Sequence, residues 1–308
     1  MNWIIENLTK EESYKNLASK LKEMGRNVTT LNGDYSHSLI ESRQNENVIF
    51  LGCIEMNNLV GGRLKEQGCY PVNCAAFENY LCTRYYPHFS EYLFNDNYVI
   101  VPLSELIRRK WFFWGLFGKE SMLFVRPDSG EKTFKAGLFD IQDIDKLLQE
   151  VENQLVIISS PKNIVGEFRF LVNKEKIIAV SSYRWQGLLT KVPSAPPGAA
   201  EFVEKILKVG YCPDEIFCVD VAQDSDGNFW LMELTSFSSA GLYQMDMEKV
   251  ILGVEEVFKV KRGKFTGLEN LDKSTNKIYA DLQHCSTLHN FLSEEPDKDG
   301  YLIIRQKS

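Results

Sequence analysis

The sequence lacks several features that would define a function class outright. Its 308 residues hold only four histidines, His37, His88, His284 and His289, scattered over the chain, and no Ser-His-Asp arrangement accompanies them. Covalent catalysis by an imidazole-activated side chain is therefore not expected. The seven cysteines, Cys53, Cys69, Cys74, Cys82, Cys212, Cys218 and Cys285, are odd in number and form no CxxC pair. Cys69 and Cys74 with His88 fit no common zinc spacing, and His284 and His289 with Cys285 read as tail-packing residues, so free thiols are expected. No apolar run reaches the roughly 18–20 residues of a membrane-spanning helix. The start, MNWIIENLTKEE, turns acidic before an apolar core of leader length develops. Reduced thiols without a leader imply a cytoplasmic setting. A basic excess is missing too: 35 Lys and Arg stand against 42 Asp and Glu, a net charge of −7. That argues against bulk electrostatic binding of nucleic acid. With 44% hydrophobic and 25% charged residues the composition is that of a globular protein of about two domains.

What is present alternates between helix and strand signals. Asn2–Ile5 is a short apolar run. Lys10–Met24 carries Tyr14, Leu17, Leu21 and Met24 at helical spacing and stops at Gly25. Val28–Leu31 and Val48–Gly52 read as buried strands, the second parallel to the first through crossovers. Tyr98–Pro102 is predicted as a strand and Ser104–Lys110 as a helix. Trp111–Gly118 (WFFWGLFG) is read as a hydrophobic hinge or interdomain contact. Further strands are expected at Met122–Arg126, Leu155–Ser159, Glu167–Val172, Lys176–Ser181, Phe217–Val221, Phe229–Glu233 and Tyr301–Arg305, with helices over Gln142–Gln154 and Gly198–Lys208.

Three constellations carry chemistry. The first is VDVAQDSDGNFWLMEL, in which an Asp-Gly turn pairs two strands and brings Asp220 near Glu233. Both acids sit between apolar residues (Val219, Val221, Met232, Leu234). Buried acids need a charged partner or a metal, and two such carboxylates suit a hard cation such as Mg²⁺. A calcium loop built on Gly227 fails, because Ala222 stands where its first ligand belongs and both flanks read as strands. The second is FVRPDSGEKTFKAG, where a strand ending in Arg126 runs into a loop with Ser129, Gly130, Lys132, Thr133, Lys135 and Gly137. Small residues with free amides and two cations suit phosphates as well as they suit a solvated loop, and no Walker A pattern is present. The third is GEFRFLV followed by SSYR: Glu167 and Arg169 share one strand face and Arg184 follows on the partner. That face reads as an ion pair or as a ribose-and-phosphate surface.

Taken in this order, the segments from Phe124 to Tyr243 resemble the ATP-grasp superfamily. The Asp220–Glu233 hairpin is similar to the magnesium hairpin of D-alanine–D-alanine ligases, although Thr235 stands where those enzymes have Asn. The resemblance implies an α/β fold in which two α+β lobes sandwich ATP behind an N-terminal Rossmann-like α/β domain. Its parts would be residues 1–105, a lid-bearing lobe at 106–160, a metal-bearing lobe at 161–260 and an extension at 261–308. It implies ATP and Mg²⁺ as cofactors and Asp220, Glu233 and Thr235 as metal ligands. Arg126 would touch the α- and β-phosphates, and Lys132 and Lys135 would ride on the lid. Leu155–Lys162, with Ser159, Ser160 and Lys162, would be the adenine-reading hinge, and Glu167 would hold the ribose. Arg169 and Arg184 would serve the γ-phosphate or an acyl-phosphate, all the more because Cys218 stands where related ligases carry an Arg. Ser238–Tyr243 would be the substrate loop. The pattern looks most like a divergent bacterial and phage clade of the superfamily, which it resembles also in Cys82–Pro87. Arg84, Tyr85 and Tyr86 are acceptor-site candidates or packing residues. The implied activity is ADP-forming ligation of a small-molecule or peptide carboxylate to an amine or thiol. A kinase that stops at phosphoryl transfer and a non-catalytic nucleotide- or partner-binding module are the alternatives.

Overall fold

The N-terminal apolar run forms the central strand of a small parallel sheet. Strand β1 (Asn2–Glu6) is followed by helix α1 (Glu12–Glu23), strand β2 (Asn27–Leu31) and strand β3 (Val48–Leu51). Both β2 and β3 pair with β1 in parallel, giving the order β2-β1-β3. Parallel neighbours require a crossover, and α1 supplies the first one, burying Tyr14, Leu17, Ala18 and Leu21. Gly25, at φ +68°, ends that helix in the left-handed region where glycine carries no Cβ penalty. The computed structural model describes residues 2–7, 11–31, 48–58, 76–265, 292–296 and 302–306. His37, Cys69, Cys74, His284, Cys285 and His289 lie outside that set.

A four-stranded antiparallel sheet follows, built from β4 (Tyr98–Pro102), β5 (Leu123–Pro127), β6 (Gly137–Phe139) and β7 (Leu155–Ser159) in the order β4-β7-β5-β6. Helices α2 (Leu103–Arg108), α3 (Lys110–Phe117) and α4 (Ile141–Glu150) belong to this lobe. Asp140 caps α4 by accepting from the amides of Gln142 and Asp143. The reading of Trp111–Gly118 as a hinge is corrected here. Phe113 and Phe117, one helical turn apart, enter the lobe's core with Leu103, Leu106, Leu123, Val125, Ile144, Val156 and Ile158. Trp111, Phe112 and Leu116 lie on the exposed side of the same helix.

The third sheet is the largest. Strands β8 (Gly166–Asn173), β9 (Ile177–Trp185), β10 (Leu188–Val192), β11 (Ile216–Gln223) and β12 (Phe229–Ser236) pair antiparallel in the order β10-β9-β8-β11-β12. Helix α5 (Pro197–Lys208) and helix α6 (Met247–Phe265) accompany it. Side-chain alternation divides its two faces. Phe168, Phe170, Val172, Phe217, Val219 and Val221 pack with α5 and with Tyr80, Tyr85, Tyr86 and Phe89. Leu171, Ile216 and Cys218 point the other way, into a core shared with α1, β1, β3 and α6. Tyr85 and Tyr86 are thus packing residues, on short helical turns that Pro87 interrupts.

The chain divides into two compact units, Met1–Phe258 and Lys259–Ser308. In the second, β13 (Leu292–Pro296) and β14 (Leu302–Gln306) form an antiparallel pair. Among the described residues no helix is long and apolar enough to cross a membrane.

Candidate active site

The sheet register assembles the site. Arg169 on β8 lies opposite Asp220 on β11, and Asp220 lies opposite Glu233 on β12. Directly opposed residues share a face, so the three side chains form one row across three strands. The β11–β12 register shifts just beyond this point, between Asp220 and Val221. Such a bulge re-aims side chains, and here it accompanies the alignment of the two acids.

Charge packing in this row is dense. Arg169 donates Nε to Asp220 Oδ1 at 2.7 Å and Nη2 to Oδ2 at 2.6 Å, with both residues buried. Its Nη1 donates to the carbonyl of Gly241 at 3.0 Å. Glu233 draws cations from both lobes. Lys132 Nζ lies 3.1 Å from Oε1, Arg126 Nη2 lies 3.4 Å from Oε2, and Arg169 Nη2 lies 3.9 Å from Oε1. Thr235 Oγ1 donates to Glu233 Oε1 at 3.3 Å. Burial alone would raise the Glu233 carboxyl. Lys132, Arg126 and Arg169 overcome it and hold the group well below the usual carboxylate range. Burial pushes Asp220 up from its ordinary value, against the pull of Arg169.

Both strand and loop of the small lobe take part. Arg126 leaves β5 to donate Nη1 to the Met232 carbonyl at 3.2 Å. Lys132 stands at φ +52° in the loop after β5. That loop is anchored at its base, where Asp128 accepts from the amide and hydroxyl of Thr83 at 2.9 and 2.7 Å. A Cβ at Gly130 would come within 2.8 Å of the Phe77 carbonyl oxygen, so the loop's backbone lies directly on the preceding segment.

The remaining predicted residues lie around this cluster at different removes. Glu167 and Arg184 are cross-strand partners joined by an ion pair of 3.2 Å, one step along the sheet from Arg169. Ser159 is buried and donates its hydroxyl to Asn95 at 3.1 Å. Lys162 is bound to Asp96 and to the Phe94 carbonyl, away from the Glu233 cluster. Ser160 follows β7, and Lys135 is exposed. Two tyrosines escape a sequence reading as a pair. Tyr183 and Tyr243 stack at 4.6 Å and 12°, with Arg169 Cζ 5.2 Å from the Tyr243 ring. Tyr243 holds φ +50°, uncommon for a bulky residue. Tyr183 sits at a register slip between β8 and β9, which no sequence pattern announces.

The arrangement suits a phosphorylated anion with a divalent cation. Around Glu233, three cations (Arg126, Lys132, Arg169) face two acids (Asp220, Glu233), an excess of one positive charge. The buried Arg126 Nε has no hydrogen-bond partner among the described residues. Among the described residues no three His, Cys, Asp or Glu side chains come together. A cation held by Asp220 and Glu233 would therefore take its other oxygens from Thr235, water or phosphate.

The two lobes and their charged row define an ATP-grasp fold. Residues 111–252 match the model of an ATP-grasp domain, family 2 of its clade. Solved structures agree on the fold. A D-alanine–D-alanine ligase from Bacillus anthracis superposes with TM-score 0.60 at 13% identity, covering 85% of this chain and 98% of that one. The D-cycloserine synthetase DcsG gives 0.59 at 11%, covering 83% and 100%. The ADP complex of purK, N5-carboxyaminoimidazole ribonucleotide synthetase, gives 0.54 at 13%, covering 76% and 69%. No curated protein matches the sequence significantly. The chain belongs to the ATP-grasp superfamily, whose cofactors are ATP and Mg²⁺.

Proposed function

We propose that the protein is an ATP- and Mg²⁺-dependent, ADP-forming ligase that joins a carboxylate to an amine or thiol. The observation that carries this reading is the convergence on Glu233 of Arg126 and Lys132 from the small lobe with Arg169 and Asp220 from the large sheet. ATP would supply the phosphoryl group that activates the carboxylate, and Mg²⁺ would neutralise charge on the transferring phosphate. Asp220 and Glu233 would hold the metal, with the Thr235 hydroxyl as a weaker third ligand. Arg126 and the lid residue Lys132 would meet the phosphates, with Lys135 further along the same loop. Ser159, Ser160 and Lys162 lie on the hinge side, where adenine would sit, and Glu167 would bind the ribose. Arg169 and Arg184 would face the γ-phosphate and the activated acyl group. The substrate carboxylate oxygen bonds to the γ-phosphorus as the bond to the ADP oxygen breaks. The nucleophile then attacks the acyl carbon, loses its proton, and phosphate leaves. A closed lid keeps water from the acyl-phosphate.

Supporting this reading, the B. anthracis, DcsG and purK structures are named as a ligase and two synthetases. The four described cysteines are free, which suits a cytoplasmic setting. The test is ADP and phosphate release with ATP, Mg²⁺ and a panel of acids and amines. Release that requires both an acid and an amine or thiol is expected. A stable phosphorylated product without an amide or thioester would instead define a kinase. Bound ATP with no ADP across the panel would define a binding module.

A further inference from the structure

The ribbon formed by β9 and β10 projects from the large sheet with every residue from Arg184 to Ser194 exposed. Four of these are large and apolar: Trp185 (41% exposed), Leu188 (72%), Leu189 (66%) and Val192 (41%). Strand β10 ends the sheet order, and among the described residues it pairs only with β9. A free, apolar strand edge invites pairing, and proteins normally cover it or use it. No acid occurs between Ser181 and Ala200, although the chain as a whole carries −7. The stretch contains two cations, Arg184 and Lys191.

The same ribbon runs to the charged row. Lys191 Nζ stands 5.8 Å from the Tyr243 ring, and Arg169 Cζ stands 5.2 Å from the same ring. Leu189 lies directly across from Arg184, so the two share a face, while Leu188 and Trp185 share the other. An added strand would therefore set alternate side chains on a cationic face turned to the cleft and on an outer apolar face.

We infer that β10 is the docking edge for the substrate that supplies the carboxylate, an extended peptide with apolar side chains. Its carboxylate, from an Asp or Glu side chain or from its own C-terminus, enters between Lys191 and Arg169 beside Tyr243. The inference rests on the ligase reading and adds to it the class of acid. Main-chain hydrogen bonds along β10 supply affinity, and the alternating faces supply selectivity.

The test uses the full chain and synthetic peptides of about eight residues, a common strand length. They are built from Val, Leu, Ile and Thr, in three forms: one Asp or Glu with a C-terminal amide, Asn or Gln with a free C-terminus, and neither carboxylate. Free amino acids form the small-acid arm. Binding is read by fluorescence polarisation and by hydrogen exchange of residues 188–192, and ATP·Mg²⁺ binding is titrated on the same preparation. Expected are slowed exchange at 188–192 and affinity about tenfold above the carboxylate-free peptides, with the first two forms separating a side-chain from a terminal carboxylate. Leu189→Asp, at an exposed position, should remove most of that affinity, and thermal unfolding confirms that the variant is folded. The inference is overturned if no peptide slows exchange at 188–192, if free amino acids bind as well as peptides, or if Leu189→Asp changes nothing. It is also overturned if exchange there slows with protein concentration alone, which would make the edge a contact between two copies. Absent ATP binding would instead count against the ligase reading.

Discussion

Arg169 sits where one side chain meets an acid, a carbonyl and two aromatic rings, so its removal affects several partners at once. Arg169→Met leaves Asp220 buried and unpaired, and about 3–5 kcal/mol of stability should be lost. Adding Asp220→Leu should restore most of it, because an apolar pair of similar volume needs no desolvation. Urea unfolding of the single and double variants measures both effects, and equal losses in the two would contradict a buried ion pair. Glu233 behaves differently with pH. Its folded carboxyl is held below the ordinary range, so its contribution is complete above the unfolded value of about 4.3 and is lost as pH falls from there toward the folded value. Between neutral pH and pH 3.5, wild type should therefore lose more stability than Glu233→Gln. Parallel acid limbs for the two proteins would show that the cation cluster does not act on this group.

At the scale of elements, the small-lobe loop is the part most open to a single change. A methyl group at Gly130 must displace the Phe77 backbone or Tyr80 Cβ, both 2.8 Å away. Gly130→Ala should cost about 1–3 kcal/mol and speed hydrogen exchange over 128–137 by loosening that contact. Unchanged exchange would mean that the loop is held elsewhere, as at Asp128. The elements also show which parts of the fold are legible in the sequence. Alternating strands such as Glu167–Val172 and the Asp-Gly hairpin are readable because one face is apolar and the turn chemistry is specific. The exposed strand β10 and the three-residue β6 carry no such burial pattern. Helix α6 escapes the sequence reading along with them. The aromatic run of α3 misleads because nearly every position is apolar, which hides the Phe113–Phe117 spacing that faces the core. The pairing of Asp220 with Glu233 is legible from the hairpin. The partners that Glu233 takes from the other lobe, Arg126 and Lys132, are separated from it by about a hundred residues and become visible only in the fold.

Across the whole molecule, the overall charge of −7 conceals a local excess of cations around two acids. Two lobes contribute to that cluster, which is what a site closing over a triphosphate requires. The central claim is that Glu233 belongs to a nucleotide-metal site. Isothermal titration with ATP, with and without Mg²⁺, on wild type and Glu233→Ala tests it most directly. Metal-dependent binding to wild type is expected, weakened about tenfold or more in the folded variant. A folded wild-type protein that does not bind ATP·Mg²⁺, or a Glu233→Ala protein that binds it equally well, would contradict the claim.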